Sequence, residues 1–273
     1  MNRLPLYRVS LATALLVVAS NANAQSDERV VVPLSDPSRP AIVEIALFSG
    51  DISVKAYDGN EVIIVTDTPV RDADEPEPPR ADGLRRIQSS TVGLTAEESN
   101  NTVSLRMDFS PRGVDLEVQV PRRTSVHASL VNGGDITING VTGEHELSNV
   151  NGDVIATDIA GSAVINATNG DVRATFTSVE TMKPMSFTSF NGDVDVTLPG
   201  NTKANLIVGS QQGDVFTDFD VVAQTNPPNV QQRAGPRGGR EVRVSHQTRY
   251  AIGGGGPDIT LQTFNGDVMI RKR

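Results

Sequence analysis

Apolar and polar residues alternate with a period of two through most of this chain, the pattern of strands with one buried face. The clearest runs follow a recurring Asn-Gly-Asp triplet: Val154 and Ala156; Val172, Ala174 and Phe176; Val194, Val196 and Leu198; Val268 and Ile270. A second apolar column lies six residues before each Asp, at Ile45, Leu147, Ile165, Phe187, Val208 and Leu261. A third lies eight before it, at Val43, Ala163, Met185, Leu206 and Ile259, with His145 as its polar exception. Each period therefore holds two short strands, each too short to bury a core alone. Stacked at about 4.8 Å, such strand pairs share one continuous core. No stretch after the N-terminal segment carries the 3.6-residue period of a helix.

The triplets fix the period. Asn151-Gly152-Asp153, Asn169-Gly170-Asp171, Asn191-Gly192-Asp193 and Asn265-Gly266-Asp267 are close copies, with looser ones ending at Asp51, Asp135 and Asp214. Asp135, Asp153, Asp171, Asp193 and Asp214 are 18, 18, 22 and 21 residues apart, within the window of repeat architectures. This predicts an all-β parallel β-helix, or β-solenoid, with about 18–22 residues per rung. Asn and Gly tolerate positive φ and suit a sharp corner, and the following Asp can accept hydrogen bonds from backbone N–H groups.

Taken in order, the chain opens with a segment of export type. Arg3 and Arg8 precede an apolar run from Val9 to Ala19, and Ala22-Asn23-Ala24 is an A-x-A cleavage site. Residues 1–24 are expected to be removed, leaving residues 25–273 as a single solenoid domain without a transmembrane segment. Without cysteine, neither a lipidated Cys nor a disulfide can follow export. Strands are expected at Arg29–Val32, Ala41–Leu47, Ile52–Tyr57, Val62–Thr66, Leu84–Leu94, Thr102–Phe109 and Val114–Val120, then regular repeats over about 124–220. Pro-rich, exposed insertions are expected at about 69–83 and 224–240. The stretch Gly253 to Ile270 reads as a last rung that closes the core.

Three features, taken together, resemble a known family: the successive G-D-I/V-x-V units, the Val118-Gln119-Val120-Pro121 step, and a Gly-rich stretch before Thr263-Phe264-Asn265-Gly266-Asp267-Val268. They resemble the bacterial putative-adhesin family of unknown function, over roughly residues 28–273. The resemblance implies a right-handed parallel β-helix or β-roll, a place at the surface or in the envelope, and no active site to carry over. The two Pro-rich insertions depart from the family's simplest pattern.

The candidate chemistry is sparse. Stacked on successive rungs, Asp135, Asp153, Asp171 and Asp193 would form a carboxylate column that repels itself unless hydrogen bonds or a cation neutralise it. Calcium is one candidate, and Gly253-Gly254-Gly255-Gly256-Pro257-Asp258 fits the G-G-x-G-x-D of calcium β-rolls, but once only and with Thr260 at an apolar position. A corner role explains the same recurrence without a metal, so no cofactor is expected. A polysaccharide lyase or hydrolase would need acids at a few chosen places, whereas these repeat with the fold, so the chain is not expected to be an enzyme. His127, His145 and His246 fall in no ligand spacing, and His145 is expected to be buried and hydrogen-bonded or to mark an irregular rung. No G-x-S-x-G and no phosphate-binding loop occurs.

Charge adds one asymmetry. The net charge is −9, and −11 without Arg3 and Arg8, yet the residues from Thr225 onward carry eight basic side chains against three acidic ones. A basic end on an acidic rod suits anionic envelope polymers or self-association, or else caps the solenoid against stacking. Nucleic acid is not expected, because no basic and aromatic stripe accompanies the acidic balance. The expected role is a structural or binding module of the periplasm or cell surface, with an envelope glycan or a protein as partner.

Overall fold

The computed structural model describes residues 28–67, 94–107, 113–180, 182–224, 229–234, 240–245 and 248–273. The predicted leader, the insertion at 69–83 and all but the last residue of the strand expected at Leu84–Leu94 lie outside them. All regular structure in the described residues is β-strand, and 20 strands join in one mixed sheet. Asn229–Ala234, inside the second predicted insertion, pairs antiparallel with Arg240–Ser245, which starts at its last residue, as a separate two-stranded sheet.

The alternation read from the sequence sets the register. After the corners, Ile136, Val154, Val172, Val194, Val268 and Val215 lie side by side in parallel strands. Before them, Ile45, Ala128, Leu147, Ile165, Phe187, Leu261 and Val208 do the same. Nearly all these side chains are buried in one continuous core. Its largest fully buried members, Phe176 and Phe187, meet edge to face with centroids 5.9 Å apart. The 16-residue strand Val154–Asn169 serves two rungs, turning from one face to the other at Asp158, whose φ is 52°.

The rungs do not stack in chain order. Met185–Asn191 and Val194–Leu198 pair with Asp258–Asn265 and Val268–Lys272, and only beyond these come Ala204–Gln212 and Val215–Thr217. The last rung of the sequence is thus next to last in space, a correction to the expectation that it closes the core. The other end mirrors this. Ala41–Leu47 and Ile52–Tyr57 lie between Thr124–Leu130 with Ile136–Asn139 on one side and Thr102–Met107 with Asp115–Pro121 on the other.

Antiparallel strands cover most of the ends, where the sequence suggests a cap of basic charge. Glu61–Asp67 pairs with Asp115–Pro121, Leu94–Ser99 with Thr102–Met107, and Thr248–Ile252 with Ala204–Gln212. Pairing in the opposite direction satisfies the edge hydrogen bonds and ends the parallel repeat. Two of these covers belong to clasps. Ile52–Tyr57 and Glu61–Asp67 hold Asp115–Pro121 between them, joined by a turn over its end where Arg122 Nε donates to Asp58 Oδ1 at 2.6 Å. Thr248–Ile252 and Asp258–Asn265 hold Ala204–Gln212 likewise, joined by the Gly-rich strap 253–257. That strap passes so close to the chain that a Cβ on Gly256 would lie 2.3 Å from the Lys203 carbonyl oxygen.

Candidate functional site

The recurrent triplets form two parallel ladders along one corner, one of aspartates and one of asparagines. In the aspartate ladder each backbone N–H donates to a carboxylate one rung away: Asp51 to Asp115 at 2.9 Å; Asp135 to Asp51, Asp153 to Asp135, Asp171 to Asp153, Asp193 to Asp171 and Asp267 to Asp193 at 2.8 Å; and Asp214 to Asp267 at 2.9 Å. The carboxylates thus accept backbone N–H groups of neighbouring rungs. Asp267, not Asp214, stands beside Asp193. Asp115 joins the ladder although no Asn-Gly precedes it; its sequence signal is the alternation that follows, Leu116, Val118 and Val120.

The asparagines work differently from expectation. Asn151, Asn169, Asn191 and Asn265 do not take positive φ. They end strands, and their amides form a second ladder: Asn169 donates to Asn151 at 2.9 Å, Asn191 to Asn169 at 2.7 Å and Asn265 to Asn191 at 2.6 Å. The intervening glycine is demanded by contact as well as by conformation. Gly152 has φ 146°, and a Cβ there would stand 1.9 Å from the Gly134 carbonyl oxygen. Like charge along the aspartates is relieved by these N–H groups and by Arg173, which bridges Asp153 and Asp171. Asp258, the fifth residue of the calcium reading, stands off the ladder, bonded to Arg249 and Asn205. Among the described residues no group of three or more His, Asp or Glu is placed to hold a metal ion.

The histidines separate. Of the two expectations for His145, a buried and hydrogen-bonded residue or an irregular rung, the burial holds but the hydrogen bonds do not: neither ring nitrogen has a partner. Burial pushes its pKa down to about 4, and the nearby backbone of Ala160 and Val141 offsets this only in part, short of true hydrogen bonds. His246 lies outside the described residues. His127 faces solvent between Glu44 and Glu146, its neighbours on the adjoining rungs. These three form one wall of a shallow trough of about 360 Å³. Its floor is the next outward column, Ala46, Ser129 and Ser148, and Arg106 lies at one end. Past the floor, Phe48 and Val131 stand just beyond the ends of their strands, both about half exposed, beside Val150. Sequence reasoning missed this site because Glu44, His127 and Glu146 belong to separate strands joined only by stacking.

Elsewhere on the outward faces the side chains are mostly small and polar, such as Asn166, Ser186, Thr188, Thr260 and Gln262. Near the far end of the same corner, Phe190 and Phe264 stack in the open, with centroids 4.9 Å apart. Among the described residues, no helix is long and apolar enough to cross a membrane.

An all-β stack of parallel rungs bound by an aspartate ladder defines a β-solenoid-like protein. The Toastrack DUF4097 family matches residues 12–248, and the chain belongs to that family. The match stops short of Asp258–Lys272, which the fold places inside the stack. A solved structure of a putative cell adhesion protein from Clostridium sporogenes ATCC 15579 is similar at 8% identity, with a TM-score of 0.45, covering 90% of this chain and 100% of that one. A putative adhesin from Bacteroides fragilis NCTC 9343 is similar at 11% identity, with a TM-score of 0.36, covering 92% of this chain and 98% of that one. No curated protein matches the chain.

Proposed function

We propose that this protein is an exported, non-catalytic β-solenoid of the bacterial cell envelope, acting as an adhesin-like binding module in the periplasm or at the surface. The observation that carries the reading is the fate of the repeated acids. Each carboxylate from Asp115 to Asp267 along the ladder gives one oxygen to a neighbouring backbone N–H, so the recurrent chemistry of the chain is absorbed by its scaffold. What remains for a partner is a set of long strand faces with small polar side chains, suited to many weak contacts with an envelope glycan or protein, or with another copy. The reading includes removal of residues 1–24, a single domain over 25–273, a right-handed coil with about 18–22 residues per rung, and no cofactor.

Cells producing the full chain test it. The protein recovered from the envelope fraction should begin at Gln25, and the purified protein should sediment with isolated envelope material without cleaving its polysaccharides. A cytosolic protein retaining Met1, or one that releases oligosaccharides, would overturn it.

A further inference from the structure

The trough beside His127 differs from the rest of the surface in how its charges are left. Many opposite charges elsewhere on the described surface are paired: Lys55 with Glu117, Arg122 with Asp58, Arg271 with Asp195, Arg273 with Asp158, and Lys183 with Glu144. In the trough they are not. The side chains of Arg106 and Glu146 make no hydrogen bond or ion pair with any described residue, and Glu44 is held only by the Ser104 hydroxyl, which donates to it at 2.9 Å. Both signs of charge therefore line one depression and stand apart across a floor of alanine and serine.

The dimensions follow from strand geometry. Glu44, Ala46 and Phe48 alternate on one face, as do His127, Ser129 and Val131, so the charged and apolar walls stand roughly 13 Å apart. Along the stack, Arg106 is one rung from Ala46 and Glu146 is one rung beyond His127. A ligand filling the trough would meet carboxylates at one side, a guanidinium at one end, hydroxyls beneath and an apolar shelf opposite.

We infer that the trough binds a short peptide with free termini. Its ammonium is held by Glu44 and Glu146, its carboxylate by Arg106, its amides by Ser129 and Ser148, and an apolar side chain rests on Phe48 and Val131. The guanidinium suits a planar carboxylate, and the small floor residues let a peptide backbone lie close. Because the trough is open, affinity is expected to be modest, in the millimolar to high micromolar range. The inference rests on the binding-module reading and gives it a ligand class.

The purified full chain, titrated with the tripeptide Ala-Leu-Ala by calorimetry, tests the assignment. Saturable binding is expected, weakened about tenfold when the peptide is N-acetylated or C-amidated, and similarly by Arg106→Gln or by Glu44→Gln with Glu146→Gln. Ser129→Tyr should block the floor and abolish binding, while all variants keep the wild-type melting temperature. No saturation by 10-fold above the millimolar range, or equal binding of the doubly blocked peptide, overturns the inference. So does binding only to vesicles of phosphatidylethanolamine, whose headgroup also carries both charges. Failure of envelope sedimentation with tripeptide binding intact would sink the module reading and leave the trough standing; the reverse result would sink the trough alone.

Discussion

His145 is the residue whose environment most contradicts its chemistry. It shares a column with Val43, Val126 and Ala163, and its two unpaired ring nitrogens give nothing back for their lost hydration. The imidazole titrates near 6.5 in the unfolded chain and at about 4 in the fold. The unfolded chain therefore takes up the proton first. This contribution to stability is fully present above about pH 6.5 and is lost as pH falls through about 4, a difference of about 3 kcal/mol. His145→Leu should match or exceed the wild type in urea melts at pH 7 and should lose that much less stability between pH 7 and pH 4. Equal acid losses in the two proteins would contradict it. Glycine sets a second residue-scale constraint. Gly152→Ala drives a methyl into the Gly134 carbonyl and should cost upwards of 3 kcal/mol, whereas Gly209→Ala meets nothing within 4 Å and should stay within about 0.5 kcal/mol of wild type.

At the scale of the element, the corner is a ladder whose parts belong to different rungs. Removing one carboxylate strands the backbone N–H of the next rung, so the side chain's acceptor matters more than its charge. Asp171→Ala should cost about 1–3 kcal/mol by leaving the Asp193 N–H unpaired. Asp171→Asn keeps an acceptor oxygen and loses only the half-exposed ion pair with Arg173, and should cost less than about 1 kcal/mol. Thermal melts in calcium and in excess chelator should coincide for all three proteins, because one oxygen of each ladder carboxylate already accepts a backbone N–H. A melt that collapses on chelation would return the column to metal chemistry.

The whole molecule is held by insertion rather than by simple stacking. In an ordinary solenoid the last rung is peripheral, and its loss shortens the rod. Here Asp258–Asn265 and Val268–Lys272 are bonded on both sides, so their loss splits the core between Met185–Leu198 and Ala204–Thr217. Ending the chain after Gly253 should abolish the cooperative β-sheet melt in far-ultraviolet circular dichroism. A truncated chain that melts cooperatively near the full-length temperature would show the inserted rung to be dispensable. The N-terminal rung Ala41–Tyr57 occupies the equivalent inner position, so both terminal segments of the described chain lock outer rungs that precede or follow them in sequence.

Local pattern alone determined the all-β class, the strands of the regular repeats, the inward columns and the recurrent aspartate corners, because each depends on a period of two or on a repeated corner that a single segment displays. Even the odd member of the third column, His145, was visible there as a break in the pattern, though not its lack of partners. What the tertiary structure alone decided is everything set by which rung lies beside which. The 21 residues from Asp193 to Asp214 look like one more repeat, yet the chain leaves room there for a rung that arrives 74 residues after Asp193. Spacing carries no sign of this, since hydrogen bonds between parallel strands have the same form whatever the length of chain joining them. The trough follows the same rule: Glu44, His127 and Glu146 become a wall only when three distant strands fall into register, and the strap over Lys203 gives the Gly253–Gly256 run its use only once that neighbour is in place.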